Sequence, residues 1–594
     1  MSDSSSSIRA ADVGILWAFA KPHLPTLAIG TLLALGASAA GLATPLATKW
    51  VLDSLGADGS LAQPIALLLG LLVIGAITGF AQWVLLGRLA EHIVLDARTS
   101  LVERFFRAKL EQVQRFRTGE LVTRVTSDTV LLREAATTSV VQIVNGVVSL
   151  VGTIVLMAVL DLPLVLGTLV AIVVIGLLLI VLMPQIGKAE KRAQAALGDL
   201  GGTLEGGLRA VRTVKSSRAE VREIARVDDR ARASARFSIR SVWITATAWT
   251  IAGTGIQLAI IAILGIGAWR VAEGGLAVST LVAFLLYAFN IMDPISNLTM
   301  AFTQLQSGLA AAGRIRETEG LELEAVHDGA AGADEGATGP VLELRGAVAR
   351  YDGAERNSLD GVDLAIARTG HTAIVGPSGA GKTTVFSLLL RFLDPASGEL
   401  ALDGTPYREL SIDAVRRRIA YVEQETPVVP GTVRENVLFR AEGADDEEAW
   451  AALADVRLDE TVRALPDGLD TPVSSTNLSG GERQRLAVAR ALVRPPGILL
   501  LDEATAQLDG VTEAAIQQVI ARAAEHGAVV TIAHRLSTVV DADRIVVLEH
   551  GRVRDSGTHA ELLARDELYR EFVAALRIGD LGAVAAEAEG EPTR

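Results

Sequence analysis

At 594 residues the chain exceeds what one ordinary core organises, so two or more domains are expected. Half of its residues are apolar and mean hydropathy is +0.37, so part of the chain is expected to be solvated by lipid. A net charge of -14 supplies no global basic field for nucleic acid, and the absence of cysteine excludes disulfides, thiolate metal sites and a cysteine nucleophile.

Met1 to Ser7 is polar, and "AADVGILWAFAKPH" has the pattern of an interfacial helix stopped at Pro22 rather than of a cleaved signal peptide. Six apolar runs of spanning length follow, near 24–48, 65–87, 137–160, 162–183, 242–269 and 278–300, and they define a membrane domain over residues 1–316. An even number of spans puts both ends on one side. The links Arg88–Arg133 and Lys188–Arg240 are rich in Arg and Lys, whereas the short links near Asp53–Asp58, Asp161 and Glu273 are acidic and hold only Arg270. The positive-inside rule therefore places the long links and both termini in the cytoplasm, with the protein in the cell (inner or plasma) membrane. Both long links keep helical spacing, as in "DARTSLVERFFRAKLEQVQRF", so spans two to five are expected to continue as helices beyond the membrane.

Polar residues inside spans often face a cavity. Gln142, Asn145, Gln257, Asn290 and Asp293 are candidates. Trp243, Trp249 and Met292 would suit large amphipathic molecules, although each of these side chains could equally join helix to helix.

Composition changes after Ile315. Residues 317–340, "ETEGLELEAVHDGAAGADEGATGP", read as a flexible linker, 341–579 alternate strands with helices as an α/β domain does, and 580–594 read as a disordered, solvated tail. In "HTAIVGPSGAGKTT" a buried strand runs into Gly376, Pro377, Ser378, Gly379, Ala380, Gly381, Lys382, Thr383 and Thr384. The glycines let successive N–H groups point inward, and the helix that follows adds its positive end, so phosphate oxygens fit there. Lys382 would reach the β- and γ-phosphates and Thr383 would sit on Mg²⁺.

The run "GILLLDEATAQLD" is a doubly covered parallel strand ending in Asp502 and Glu503. Adjacent carboxylates at a strand end point in different directions, so Asp502 can serve Mg²⁺ while Glu503 acts as base on an attacking water. A further strand, "GAVVTIAH", ends in His534, placed to hydrogen-bond the γ-phosphate.

Together these residues resemble the exporter type of ATP-binding cassette (ABC) transporter, over nearly the whole chain. The resemblance implies a six-helix all-α membrane domain followed by an α/β P-loop ATPase cassette, with ATP and Mg²⁺ as cofactors. It implies that Tyr351 in "ARYDG" stacks on adenine and that Gln424 in "YVEQETPVV" contacts the metal and the membrane domain. It also makes "LSGGERQR" the family signature, whose Ser479, Gly480 and Gly481 contact a γ-phosphate held by a second chain. Taken alone, that stretch reads as a serine N-cap with two turn glycines.

The resemblance makes Gly119–Asp128 and Gly206–Lys215 the cytoplasmic segments that dock on cassettes near Gln424. Two departures stand out. "DTPVSSTN" lacks the Gly-Glu segment that the family places before its signature, leaving Ser474 and Ser475 as possible substitutes, and "AQLD" has Ala506 and Gln507 while keeping Asp509 for the dimer contact. The implied function is ATP-driven export of a hydrophobic or amphipathic molecule (multidrug, lipid or secondary metabolite) by a homodimer or a pair with a related half-transporter. The alternatives are a lipid flippase, a siderophore-related importer, or an ATP-driven membrane regulator that transports nothing.

Overall fold

A computed structural model of the chain describes residues 10–56, 60–324, 338–473, 478–502, 510–533 and 535–576. It divides into two compact units: Met1–Arg104 with Thr118–Gly320, and Phe105–Arg117 with Leu321–Arg594.

The first unit is all-helical. Val13–Gly56, Ala62–Arg107, Thr118–Leu160, Leu162–Arg209, Glu220–Ala272 and Val278–Glu319 are each long and apolar enough to cross a membrane. At 1.5 Å per residue the 48-residue fourth helix is about 70 Å long, more than twice the hydrocarbon thickness, so much of it extends past a bilayer. Its apolar half carries exposed Val170, Val173, Leu177 and Ile180, the kind of surface that a bilayer would cover. The fourth and fifth helices pair with each other.

The first α-helix, Ala10–Ala20, ends just before Pro22, as expected. Lys21–His23 form one 3-10 turn, in which an early proline is tolerated, and the chain passes directly into Leu24–Gly56. At the link after the third helix, buried Asp161 caps Leu164 N–H at 3.0 Å and pairs with Arg270 at 2.6 Å. The basic residue that stood out among the short acidic links is thus neutralised by one of them. The sixth helix runs on to Glu319, into the stretch read as linker.

The second unit contains an antiparallel sheet ordered β2-β1-β4-β5 and a six-stranded sheet ordered β10-β9-β3-β8-β7-β6. The strands are β1 Leu342–Ala349, β2 Leu359–Ile366, β3 Gly370–Val375, β4 Ser397–Leu402, β5 Thr405–Pro406, β6 Ile419–Val422, β7 Ile498–Asp502, β8 Ala528–Ile532, β9 Arg544–Glu549 and β10 Arg552–Gly557. In the larger sheet β9, β3, β8, β7 and β6 are parallel, and β10 is antiparallel to β9.

Alternate residues of the central strands enter different cores, because side chains alternate across a strand. Ile498 and Leu500 of β7 join a core containing the antiparallel sheet and the helix Lys382–Leu389, through Val385 and Phe386. Leu499 and Leu501 join a core with the helix Gly480–Leu492, through Leu486 and Val488. Those two helices therefore pack on opposite faces of one sheet.

Candidate functional site

Parallel register aligns the strand ends that carry the chemistry. Ile374 of β3 pairs with Ile532 of β8, which pairs with Asp502 of β7, while Val422 of β6 pairs with Leu501. The phosphate loop after β3 and the carboxylate ending β7 are thus two strand spacings apart, roughly 10 Å. A phosphate and its counter-ion fit in that interval.

Backbone geometry makes the loop. Gly376 has φ 152° and Gly381 φ 102°, values that disfavour any side chain. A Cβ on Gly376 would lie 2.2 Å from Leu548 O, and one on Gly381 would lie 2.6 Å from Leu359 Cδ2 and 2.7 Å from Ser358 O. Pro377 accepts the Ala380 N–H at 3.2 Å, which closes the turn around Ser378 and Gly379. Buried Lys382 donates from Nζ to Gly376 O at 2.8 Å and Pro377 O at 3.1 Å, so its ammonium is held across the loop. Thr383 is exposed at the start of the helix, and Tyr351 Oη stands 3.5 Å from Thr384 Oγ1.

Burial sets the charge states here. It pushes the Tyr421 hydroxyl well above its usual range, with the Asp502 and Glu423 charges adding to the effect, and it pushes the Glu423 carboxyl up against the opposing Arg490 charge. His371 in β3 is pushed down to about 4 by burial and so is neutral beside Thr531 Oγ1 at 2.9 Å. Asp502 is buried, and Gln424 is exposed two residues past β6. Glu503, Asp509 and His534 lie outside the described residues, as do Ser474, Ser475, Ala506 and Gln507.

Within this chain Ser479 behaves as a helix cap. Its Oγ accepts the Glu482 N–H at 3.3 Å, and Glu482 Oε2 accepts the Ser479 N–H at 2.6 Å, so Gly480 and Gly481 form the first turn. This turn opens the helix on the face of the sheet opposite the helix that follows the phosphate loop.

The sequence reading missed a buried network joining these elements. Asn436 donates to Val429 O at 2.8 Å and Thr432 O at 3.0 Å, and its Oδ1 accepts from Val429 N at 2.9 Å and Arg490 Nη2 at 2.7 Å. The segment after Gln424 is thereby fastened to the Gly480–Leu492 helix. A signal was present: a polar amide between Val433 and Val437 in an otherwise buried turn. Asn436→Ala would leave buried backbone groups unpaired and is expected to cost about 3 kcal/mol. Thermal unfolding of the full chain checks this; a melting temperature within 1 °C of wild type, on the order of a few tenths of a kcal/mol, would contradict it.

The stretch Gly119–Asp128, expected to dock beside Gln424, belongs to the membrane unit, where Arg124 pairs with Glu317 at 2.7 Å and Asp128 with Arg314 at 2.6 Å. The part of that link in the cassette unit is Phe105–Arg117, captured by an isolated bridge between Ala108 and Leu323. It lies beside Tyr351: Arg115 pairs with Asp352, Glu111 accepts the Asp352 N–H, and Lys109 pairs with Glu322 at 2.9 Å. Glu322 holds the Lys109 ammonium above its usual range. Gly206–Lys215 forms the end of the fourth helix and a short helix, with Leu208 and Val211 exposed.

A nucleotide phosphate suits a glycine turn closed at a helix start with a lysine ammonium held across it. Buried Asp502 at the end of β7 and exposed Thr383 at the helix start are oxygens of the kind that, one or two at a time and together with substrate phosphates, suit Mg²⁺.

Comparison with known proteins agrees. Residues 27–295 match the ABC transporter transmembrane region and 359–506 match the ABC transporter family. A "Multidrug resistance ABC transporter ATP-binding and permease protein" of Lactococcus lactis subsp. lactis (strain IL1403) is 31% identical over 93% of this chain and 94% of its own. A "Mitochondrial potassium channel ATP-binding subunit" of Homo sapiens is 31% identical over 94% of this chain and 78% of its own. A bacterial Atm1-family ABC exporter with ATP bound superposes with TM-score 0.74 and 28% identity, covering 93% of this chain and 98% of that one.

Proposed function

The chain belongs to the ABC transporters, with membrane region and ATP-binding cassette fused, and from that premise we propose that two copies of it export a hydrophobic or amphipathic molecule by alternating access. Membership makes it a multi-pass membrane ATPase that binds ATP and couples hydrolysis to transport.

Its main support is that the phosphate-loop helix and the Ser479 helix pack on opposite faces of one sheet. A triphosphate on Gly376–Thr384 leaves its outer face unsatisfied, and the free N–H groups of Gly480 and Gly481 on a second copy supply donors for it. ATP would then hold two cassettes together, and loss of the γ-phosphate would release them. Tyr351 stacks on adenine, Lys382 neutralises the β- and γ-phosphates, and Asp509 completes the dimer contact. Thr383, Gln424 and Asp502 would hold Mg²⁺, which neutralises phosphate charge when bound. Glu503 takes a proton from the attacking water, and His534 hydrogen-bonds the γ-phosphate.

The exposed apolar side chains near Gly206–Lys215, among them Leu208, Val211 and Val221, support a docking role on the partner cassette. Basic long links favour a cytoplasmic cassette in the cell membrane. A pair with a related half-transporter is the variant of this reading.

Lys382→Ala is expected to weaken ATP binding about 10- to 100-fold, the loss of a charge-assisted contact. Titration with a fluorescent ATP analogue checks it, and unchanged affinity would remove Lys382 from the phosphate site. Export itself is tested by ATP-dependent uptake into inside-out vesicles from a panel of drugs, peptides and lipids. The relatives named for a mitochondrial potassium channel favour one second reading, an ATP-driven regulator, which would hydrolyse ATP and move none of them.

A further inference from the structure

Two cavities open among the membrane helices, of about 400 and 490 Å³, in the range of small-molecule sites. Gln82 lines both. Of the residues singled out as cavity candidates, Asn145, Asn290 and Asp293 line the first and Gln142 lines the second.

The first cavity is built to hold positive charge. Asp293 is the only charged residue in its lining, which includes the amides Gln82, Asn145, Asn290 and Asn297 and no basic side chain. Among the described residues Asp293 has no basic partner, and its side chain is exposed to the cavity region rather than packed. The following Pro294 has no N–H, so the amide that would otherwise bond the Asn290 carbonyl is missing and that oxygen is released where the helix breaks at Ile291. Ser38 Oγ occupies Asn145 Oδ1 at 2.7 Å, leaving the other amides free to turn their oxygens inward.

The second cavity continues the same character. Glu91 and Glu134 outnumber the single Arg133 in its lining, and Arg133 is bonded to Glu91. Exposed Trp83 offers an aromatic face, and the buried Gln142 Oε1 has no hydrogen-bond partner. A carboxylate, a released carbonyl, an orphan amide oxygen and an aromatic face are all partners for a cation. The one cationic side chain in either lining, Arg133, is already paired with Glu91 and Glu134.

We infer that the transported molecule is an amphipathic organic cation whose charge is met by Asp293 and the Asn290 carbonyl, with its apolar body extending toward Trp83. The inference rests on the export reading for its route, but binding can be measured without transport. The probes are tetraphenylphosphonium, its neutral analogue triphenylphosphine oxide, and anionic tetraphenylborate, offered to the full chain in lipid nanodiscs by equilibrium dialysis and to proteoliposomes for ATP-dependent uptake. Tetraphenylphosphonium is expected to bind most tightly. Asp293→Asn is expected to weaken it about tenfold while changing triphenylphosphine oxide less than twofold, and Asp293→Glu is expected to keep the preference.

Equal binding of the three probes, no saturable binding of the cation, or an Asp293→Asn protein with unaltered preference would overturn the cation site. Charge-selective binding that depends on Asp293 without any ATP-dependent uptake would leave the site standing and overturn export instead.

Discussion

Glu503→Gln is expected to keep ATP binding near wild type and to lower hydrolysis by about 10²- to 10⁴-fold, the range for losing a general base. Asp502, its neighbour, ends β7 as a buried side chain in register with Ile532, one strand removed from β3. Successive side chains of a strand point to opposite sides, which is why the base role is proposed for Glu503 and the metal role for Asp502. Removing only the charge leaves the binding contacts in place. The variant should therefore accumulate in the ATP-bound, two-cassette form, seen as a dimer of cassettes resistant to dissociation by gel filtration after ATP is added. Hydrolysis within tenfold of wild type would take the base role from Glu503 and shift attention to His534.

The fold was legible where one local rule decides the outcome. Apolar runs of spanning length admit few structures other than a membrane helix, and the glycines of the phosphate loop occupy positions where φ and the closeness of Leu548 O and Ser358 O forbid a side chain. The strand ending at Asp502 was likewise visible as an unbroken apolar run, because both of its faces are covered.

What stayed hidden depended on tertiary partners. Pro22 ends the first α-helix as local rules require, but that only a single 3-10 turn separates it from the next helix was not visible. Phe105–Arg117 of the first long link joins the cassette unit because Ala108 bridges Leu323, a pairing of distant residues without local periodicity. The polar network of Asn436 and Arg490 is equally non-local. Among the candidate cavity residues, Trp243 and Trp249 are exposed on the fifth helix and line neither cavity, since helical spacing says which residues share a face but not which neighbour that face meets. Ser479 shows the reverse problem: its capping box is the ordinary local reading, and it coexists with the nucleotide contact proposed for the same turn.

That coexistence can be tested by splitting the two surfaces between two chains. Lys382→Ala disables a phosphate loop, and Ser479→Arg places a bulky cation where the second surface would meet the nucleotide. Losing the cap costs about 1 kcal/mol, a shift of a few degrees in melting temperature, so the Ser479→Arg protein is expected to fold. Dimers of either variant alone contain two damaged sites and are expected to trap no nucleotide with vanadate. In a mixed dimer, isolated through two different affinity tags, the intact phosphate loop of the Ser479→Arg chain faces the intact Ser-Gly-Gly turn of the Lys382→Ala chain. One whole site is restored, and one trapped nucleotide per mixed dimer is expected. If each chain instead built its site alone, both sites would remain damaged and none would be trapped. The two outcomes differ between one and zero, which makes the count a direct measure of whether opposite faces of the sheet serve different nucleotides.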